Sequence, residues 1–73
     1  MNKSEGIVVR IPDGKNFGFI RVNGKDYFFH KEDFNGNWEA LKTQLSRDMI
    51  KVQFDIVDSI KGPRASNVTV IDS

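Results

Sequence analysis

The sequence predicts an all-β domain, and two observations lead to that prediction. Short runs of β-branched and aromatic residues recur along the chain, as in Ile7-Val8-Val9, and such residues favour half-buried strands. Strong turn signals, Pro12-Asp13-Gly14 and Asn23-Gly24, separate the runs. A chain of 73 residues has room for one domain at most, so residues 1–73 are expected to fold as a single unit.

Five strands follow from this pattern. Asn23-Gly24 is the dipeptide of a two-residue hairpin, so the runs on either side of it are expected to pair antiparallel. Residues 50–56 alternate between apolar and polar side chains, which is the period of a half-buried strand. The predicted strands span residues 6–11, 17–22, 25–30, 49–57 and 64–71, with a loop at residues 59–63.

The connection between the third and fourth strands interrupts the strand pattern. Asn37 is placed to cap a short helix beginning at Trp38, and Trp38, Leu41 and Leu45 then share one apolar stripe. Five short antiparallel strands predict a closed or nearly closed barrel, because open strand edges invite aggregation. The five-stranded oligonucleotide-binding (OB) barrel fits the strand count, and an SH3-like barrel fits it almost as well.

Five of the eight aromatic residues lie between Phe17 and Phe29. Side chains alternate across a strand, which divides these two runs between two faces. The predicted core face holds Gly18, Ile20, Val22, Tyr27 and Phe29, and the other face holds Phe17, Phe19, Phe28 and His30. The core face is enough for a small domain, and aromatic rings beside basic residues on an open sheet make a stacking platform for unpaired bases.

Charge is distributed unevenly along the chain. The formal net charge is only +1, but residues 1–31 hold six basic and three acidic side chains (+3), while residues 32–73 hold five and seven (−2). The aromatic runs therefore lie in the basic half, as a phosphate-tracking surface requires.

Several classes of function find no support in the sequence. The chain has no cysteine, which suits a reducing, cytoplasmic compartment. His30 is the single histidine, without the partners that catalysis or a metal site needs. No apolar stretch is long enough for a signal peptide or a membrane span. We therefore expect a protein that is not an enzyme and uses no cofactor or metal.

Four segments follow one another in order: Gly6-x-Val8, Lys15-Asn16-Phe17-Gly18-Phe19-Ile20, Tyr27-Phe28-Phe29-His30 and Lys61-Gly62-Pro63-Arg64-Ala65-Ser66-Asn67-Val68. Together they resemble the cold-shock domain family. The resemblance implies a five-stranded OB barrel that binds single-stranded DNA and RNA with low sequence specificity, and members commonly act as nucleic-acid chaperones. Single-stranded RNA or DNA would then be the partner, with no membrane or small-molecule substrate, and we expect a monomer, with a dimer as the alternative. The match runs from Gly6 to about Val70.

The resemblance also implies roles for individual residues. In the family, aromatic and histidine side chains at the matching positions stack on bases, and basic residues flank the bound strand. Trp38 aligns with an aromatic residue that adds a further stacking surface, but on a helix with Leu41 and Leu45 it is equally suited to pin the connection to the barrel. The candidate binding residues are Arg10, Lys15, Phe17, Phe19, Phe28, His30, Trp38 and Lys61.

The chain departs from the family pattern at several positions. Arg10 stands where the family usually has a surface Trp, and Lys31 where many members have an aromatic residue. Ile11-Pro12 replaces Phe-Asn, Asn16 replaces a glycine, and residues 42–48 lengthen the connection. Because an Arg guanidinium both stacks on bases and pairs with phosphate, these changes predict a smaller, more cationic platform. The alternative function is a protein-interaction barrel whose aromatic patch docks a peptide or a subunit.

Overall fold

Five strands and one α-helix make up most of residues 3–71, the part of the chain that the computed structural model describes. The strands are β1 (Ser4–Arg10), β2 (Phe17–Val22), β3 (Lys25–His30), β4 (Ile50–Ser59) and β5 (Gly62–Val70). A 3-10 helix (Lys31–Asp33) follows β3, and helix α1 (Trp38–Leu45) precedes β4. The all-β prediction and the helical connection are confirmed.

The strands close into a barrel in the order β1-β2-β3-β5-β4, and β4 returns to pair with β1. Strands β1 to β4 form a Greek key, because the fourth strand lies beside the first. A five-stranded Greek-key barrel is the OB-fold. This strand order therefore favours the OB barrel over the SH3-like alternative.

The prediction that all neighbouring strands are antiparallel is wrong at one place. Strands β3 and β5 run parallel where they meet, with Phe28 opposite Arg64, whereas the other four neighbouring pairs are antiparallel. The reason is geometric: directions cannot alternate all the way around a closed ring that has an odd number of strands.

The turns show where local sequence determined the backbone. Asn23 (φ 50°) and Gly24 (φ 81°) both have positive φ, as a two-residue hairpin of type I′ requires.

The predicted loop at residues 59–63 is wrong, because β4 continues to Ser59 and β5 begins at Gly62. Pro63 lies within β5, opposite Asp58, as the second residue of the strand, close to the strand start where proline is tolerated.

Helix α1 closes one end of the core. The Asn37 side chain accepts a hydrogen bond from the Ala40 N–H at 3.0 Å, which is the expected N-cap. Trp38 and Leu41 are buried, and Leu45 is partly buried against the core. The buried core consists of Val8, Ile20, Phe29, Trp38, Leu41, Ile50, Val52, Phe54, Ala65 and Val68.

The helices of residues 3–71 include none that is long and apolar enough to cross a membrane.

Candidate nucleic-acid interface

The β2–β3 hairpin presents two faces of opposite character. Its register places Phe17 opposite His30, Gly18 opposite Phe29 and Phe19 opposite Phe28. Ile20 and Phe29 are fully buried, whereas Phe28 is 36% exposed. The predicted division into a core face and an outer face is therefore confirmed.

Three phenylalanines form a cluster on the outer face, which we call the aromatic triad: Phe17, Phe19 and Phe28. The ring centroids of Phe17 and Phe28 are 5.3 Å apart and tilted by 31°. Phe19 lies edge-on to both, at 5.9 Å from Phe17 and 6.2 Å from Phe28. These tilted and edge-on contacts are the arrangements that aromatic rings prefer. Phe17 and Phe28 therefore have similar ring orientations, and Phe19 is close to perpendicular to both.

His30 extends the outer face at the end of β3. Its Nδ1 accepts a hydrogen bond from the Glu32 N–H at 3.1 Å, and its own backbone N–H donates to Asp33 at 3.0 Å. These bonds fix the imidazole at the start of the 3-10 helix. In the neutral ring, Nε2 then carries the proton and is left as a donor.

Arg10 lies over the triad. Its guanidinium carbon is 5.5 Å from the centroid of Phe19, within the range of a cation–π contact. The nearby carboxylate of Asp26 already accepts two hydrogen bonds from Arg21, at 2.8 and 3.2 Å. Hydrogen bonding to Arg21 lowers the pKa of Asp26, and the charge of Arg10 lowers it further.

Three lysines flank the strands of the triad: Lys15 precedes β2, Lys31 follows β3, and Lys61 lines a concavity with Phe28. Within residues 3–71, Lys15, Lys31 and Lys61 are exposed and form no ion pair. The Lys31 N–H donates to the Asn16 carbonyl at 2.7 Å. This hydrogen bond links the residue just before β2 to the residue just after β3. Sequence reasoning noted Lys31 only as a departure and omitted it from the binding residues, although its position next to His30 was a usable signal.

Arg64 is a residue that sequence reasoning missed. The parallel β3–β5 pairing places it beside Phe28, and its guanidinium donates to Asp33 at 3.2 Å. Together with Phe28, Lys61 and Pro63 it lines an open concavity at the edge of the triad. No local pattern predicts this neighbour, because the contact joins residues 36 positions apart in the chain.

The placement of Trp38 among the base-stacking residues is corrected. Only 5% of the residue is exposed, and its ring packs edge-on against Phe29 at 5.7 Å and Phe34 at 6.2 Å. The first turn of α1 directs this ring into the barrel, where burial of a large apolar surface stabilises it. Trp38 therefore pins the connection, and its face is covered by protein.

The described side chains contain no group of three or more His, Asp or Glu residues positioned to hold a metal ion.

A closed Greek-key barrel with aromatic rings and cations on one outer face defines the class of oligonucleotide-binding domains. Residues 4–71 match the model of the 'Cold-shock' DNA-binding domain, and the chain belongs to this family. The family is one of nucleic-acid-binding domains rather than enzymes.

Relatives of similar length support this assignment. The chain is 41% identical over 73 residues to cold shock-like protein CspC of Shigella flexneri, an alignment covering 97% of this chain and 100% of that protein. It is 40% identical over 68 residues to a cold shock-like protein of Aquifex aeolicus, covering 90% and 91%. With CspD of Bacillus cereus it shares 43% over 56 residues, covering 75% and 79%.

Proposed function

We propose that this protein binds single-stranded RNA or DNA with little sequence preference and acts in the cytoplasm as a monomeric RNA chaperone or cold-shock-type regulator. Bases stack on the aromatic triad and His30, while Arg10, Lys15 and Lys61 contact the phosphates. Trp38 is not part of this proposal.

The supporting observation is that the triad is surplus to the core. The core is filled by ten buried side chains, none of which belongs to the triad. Three clustered phenylalanines on an outer strand face therefore need a reason other than packing. Each stacked base contributes about 1–3 kcal/mol to binding, so two or three bases with an electrostatic term give roughly micromolar to nanomolar affinity.

Chaperone activity requires no energy source in this scheme. A protein that binds only open strands shifts the equilibrium between paired and open RNA toward the open form by mass action. The extent of opening then depends on protein concentration and on affinity for the single strand.

The triad is tested by alanine substitution. Phe17→Ala, Phe19→Ala and Phe28→Ala are each expected to weaken binding to labelled oligouridine by about tenfold or more, because each removes one stacking face. Fluorescence anisotropy measures the affinity, and circular dichroism checks that each variant is folded.

Met49→Ala is the matched control, since Met49 is a large exposed apolar residue (76%) outside the platform. It should leave the affinity unchanged. Folded triad variants that bind oligouridine as tightly as the parent protein would disprove the proposal. They would favour the alternative of a peptide-docking barrel, for which binding to single strands is neither strong nor salt-dependent.

A further inference from the structure

The hairpin between β4 and β5 projects from the barrel next to the triad. Strand β1 pairs with β4 only as far as Phe54, and β3 meets β5 at Arg64. The last two pairs of the hairpin are Asp58 with Pro63 and Ser59 with Gly62. Neither pair has another neighbouring strand among the described residues. We call residues 58–63 the β4–β5 tip.

The tip carries an apolar residue at its end. Ile60 has a relative exposure of 105%, the highest among the exposed large apolar side chains of residues 3–71. The turn is tight: Ser59 pairs with Gly62, and the Ser59 hydroxyl donates to the Gly62 carbonyl. Ile60 is therefore held out in solvent on a braced turn, next to the exposed cation Lys61.

The tip borders the proposed path of the nucleic acid. Phe28 of the triad lines the same concavity as Ile60, Lys61 and Pro63. A strand that stacks on Phe19 and then on Phe28 crosses from β2 to β3, and the next surface in that direction is β5 and the tip. The concavity is apolar on its Phe28 and Ile60 sides and cationic at Lys61, whereas the guanidinium of Arg64 is paired with Asp33.

We propose that the β4–β5 tip is a strand-separating wedge that binds the junction between single-stranded and duplex RNA. Ile60 packs on the terminal base pair where the single strand leaves the triad, and Lys61 keeps its contact with the single-strand phosphate next to that junction. In other nucleic-acid-binding proteins, apolar side chains insert between base steps and partly unstack them, which shows that such side chains can pack against the faces of bases. This inference rests on the proposed function, since the single strand must occupy the triad.

The test compares two RNA probes. One is oligouridine of about eight nucleotides, a typical site size for an OB-fold, and the other is a stable RNA hairpin with the same oligouridine as a single-stranded tail. Ile60→Ser is expected to weaken binding to the tailed hairpin by about tenfold, because an apolar contact with the terminal base pair is lost. Its affinity for free oligouridine should change by less than about twofold.

Two further variants sharpen the comparison. Ile60→Leu keeps the apolar surface and should retain the affinity for the tailed hairpin. Met49→Ser removes another large exposed apolar residue, just before the opposite end of β4, and should affect neither probe. Since the tip flanks one side of the triad, the effect of Ile60→Ser is expected with a tail at only one end of the hairpin.

The wedge is disproved if Ile60→Ser weakens both probes equally, weakens neither, or acts equally on 5′- and 3′-tailed hairpins. Failure of the underlying function is a separate result, in which Phe28→Ala leaves the affinity for oligouridine unchanged.

Discussion

At the scale of single residues, the lysine side chains of this domain differ in whether they form an ion pair with a carboxylate. The Lys51 Nζ lies 3.6 Å from Glu5 Oε1, and the Lys3 Nζ lies 3.5 Å from Asp55 Oδ2. Both ion pairs are away from the triad. Lys15 and Lys61, beside the triad, form no ion pair within residues 3–71. A cation without a partner binds a phosphate without first giving up an ion pair, so these two lysines are suited to that role.

Salt dependence distinguishes the two kinds of lysine. Lys15→Gln and Lys61→Gln should each reduce the slope of log affinity against log salt by about 0.7, the value for one phosphate contact on a single strand. The affinity for oligouridine is measured by anisotropy across a series of potassium chloride concentrations.

The matched control for this prediction is Lys51→Gln, which removes an exposed lysine that is already paired with Glu5. Its slope should equal that of the parent protein. If all three variants lower the slope alike, binding depends on overall charge, and the unpaired lysines have no special part in it.

At the scale of secondary-structure elements, α1 covers one end of the barrel core. Asn37 caps its first turn, and Trp38 and Leu41 bury their side chains in the core. The indole Nε1 is buried without a hydrogen-bond partner within the described residues. Apolar packing therefore outweighs the cost of that unmade hydrogen bond, which is about 1–3 kcal/mol.

A core role for Trp38 predicts that binding survives its replacement. Trp38→Phe should keep the affinity for oligouridine within about twofold of the parent protein and lower the free energy of unfolding, because a smaller ring leaves part of the site unfilled. Anisotropy and urea denaturation measure the two effects. A loss of affinity as large as that of Phe28→Ala, in a folded variant, would show that the indole contacts the nucleic acid after all.

At the scale of the whole molecule, the barrel contains a close approach at Gly18, where β2 meets the end of β1 and Phe29 of β3. A Cβ atom added at Gly18 would lie 2.8 Å from Ile11 Cγ1, 2.9 Å from Phe29 Cε1 and 3.0 Å from the Arg10 carbonyl oxygen. These distances are shorter than ordinary van der Waals contacts. The absence of a side chain at Gly18 thus lets β2 lie close to Arg10 and Ile11, at the end of β1, and to Phe29 in β3.

Gly18→Ala is therefore expected to lower the free energy of unfolding by about 1–3 kcal/mol, the usual cost of overpacking. That is a large part of the roughly 3–5 kcal/mol that a domain of this size has in total. Urea denaturation at constant m-value gives the change. Gln44→Ala, at an exposed position of α1, is the control and should stay within about 0.5 kcal/mol; equal stability of the two variants would contradict the close approach.

Much of the candidate site could be predicted from the sequence, because strand periodicity, turn formation and helix capping depend on short stretches of chain. The outward placement of Phe17, Phe19 and Phe28 follows from the two-residue period of a strand and from the Asn23-Gly24 turn. The cap at Asn37 likewise depends on its immediate neighbours. Each of these features lies within a single hairpin or at the start of a single helix.

The sequence by itself determined the five strands, the hairpin register and the division of aromatic residues between two faces, because sterics and side-chain alternation act over short stretches of chain. Tertiary structure alone decided three other features: the parallel β3–β5 contact that brings Arg64 to Phe28, the burial of Trp38, and the projection of Ile60 beside the triad. These depend on which distant segments pack together. That choice follows from closure of the whole barrel around one core, and no local pattern contains it.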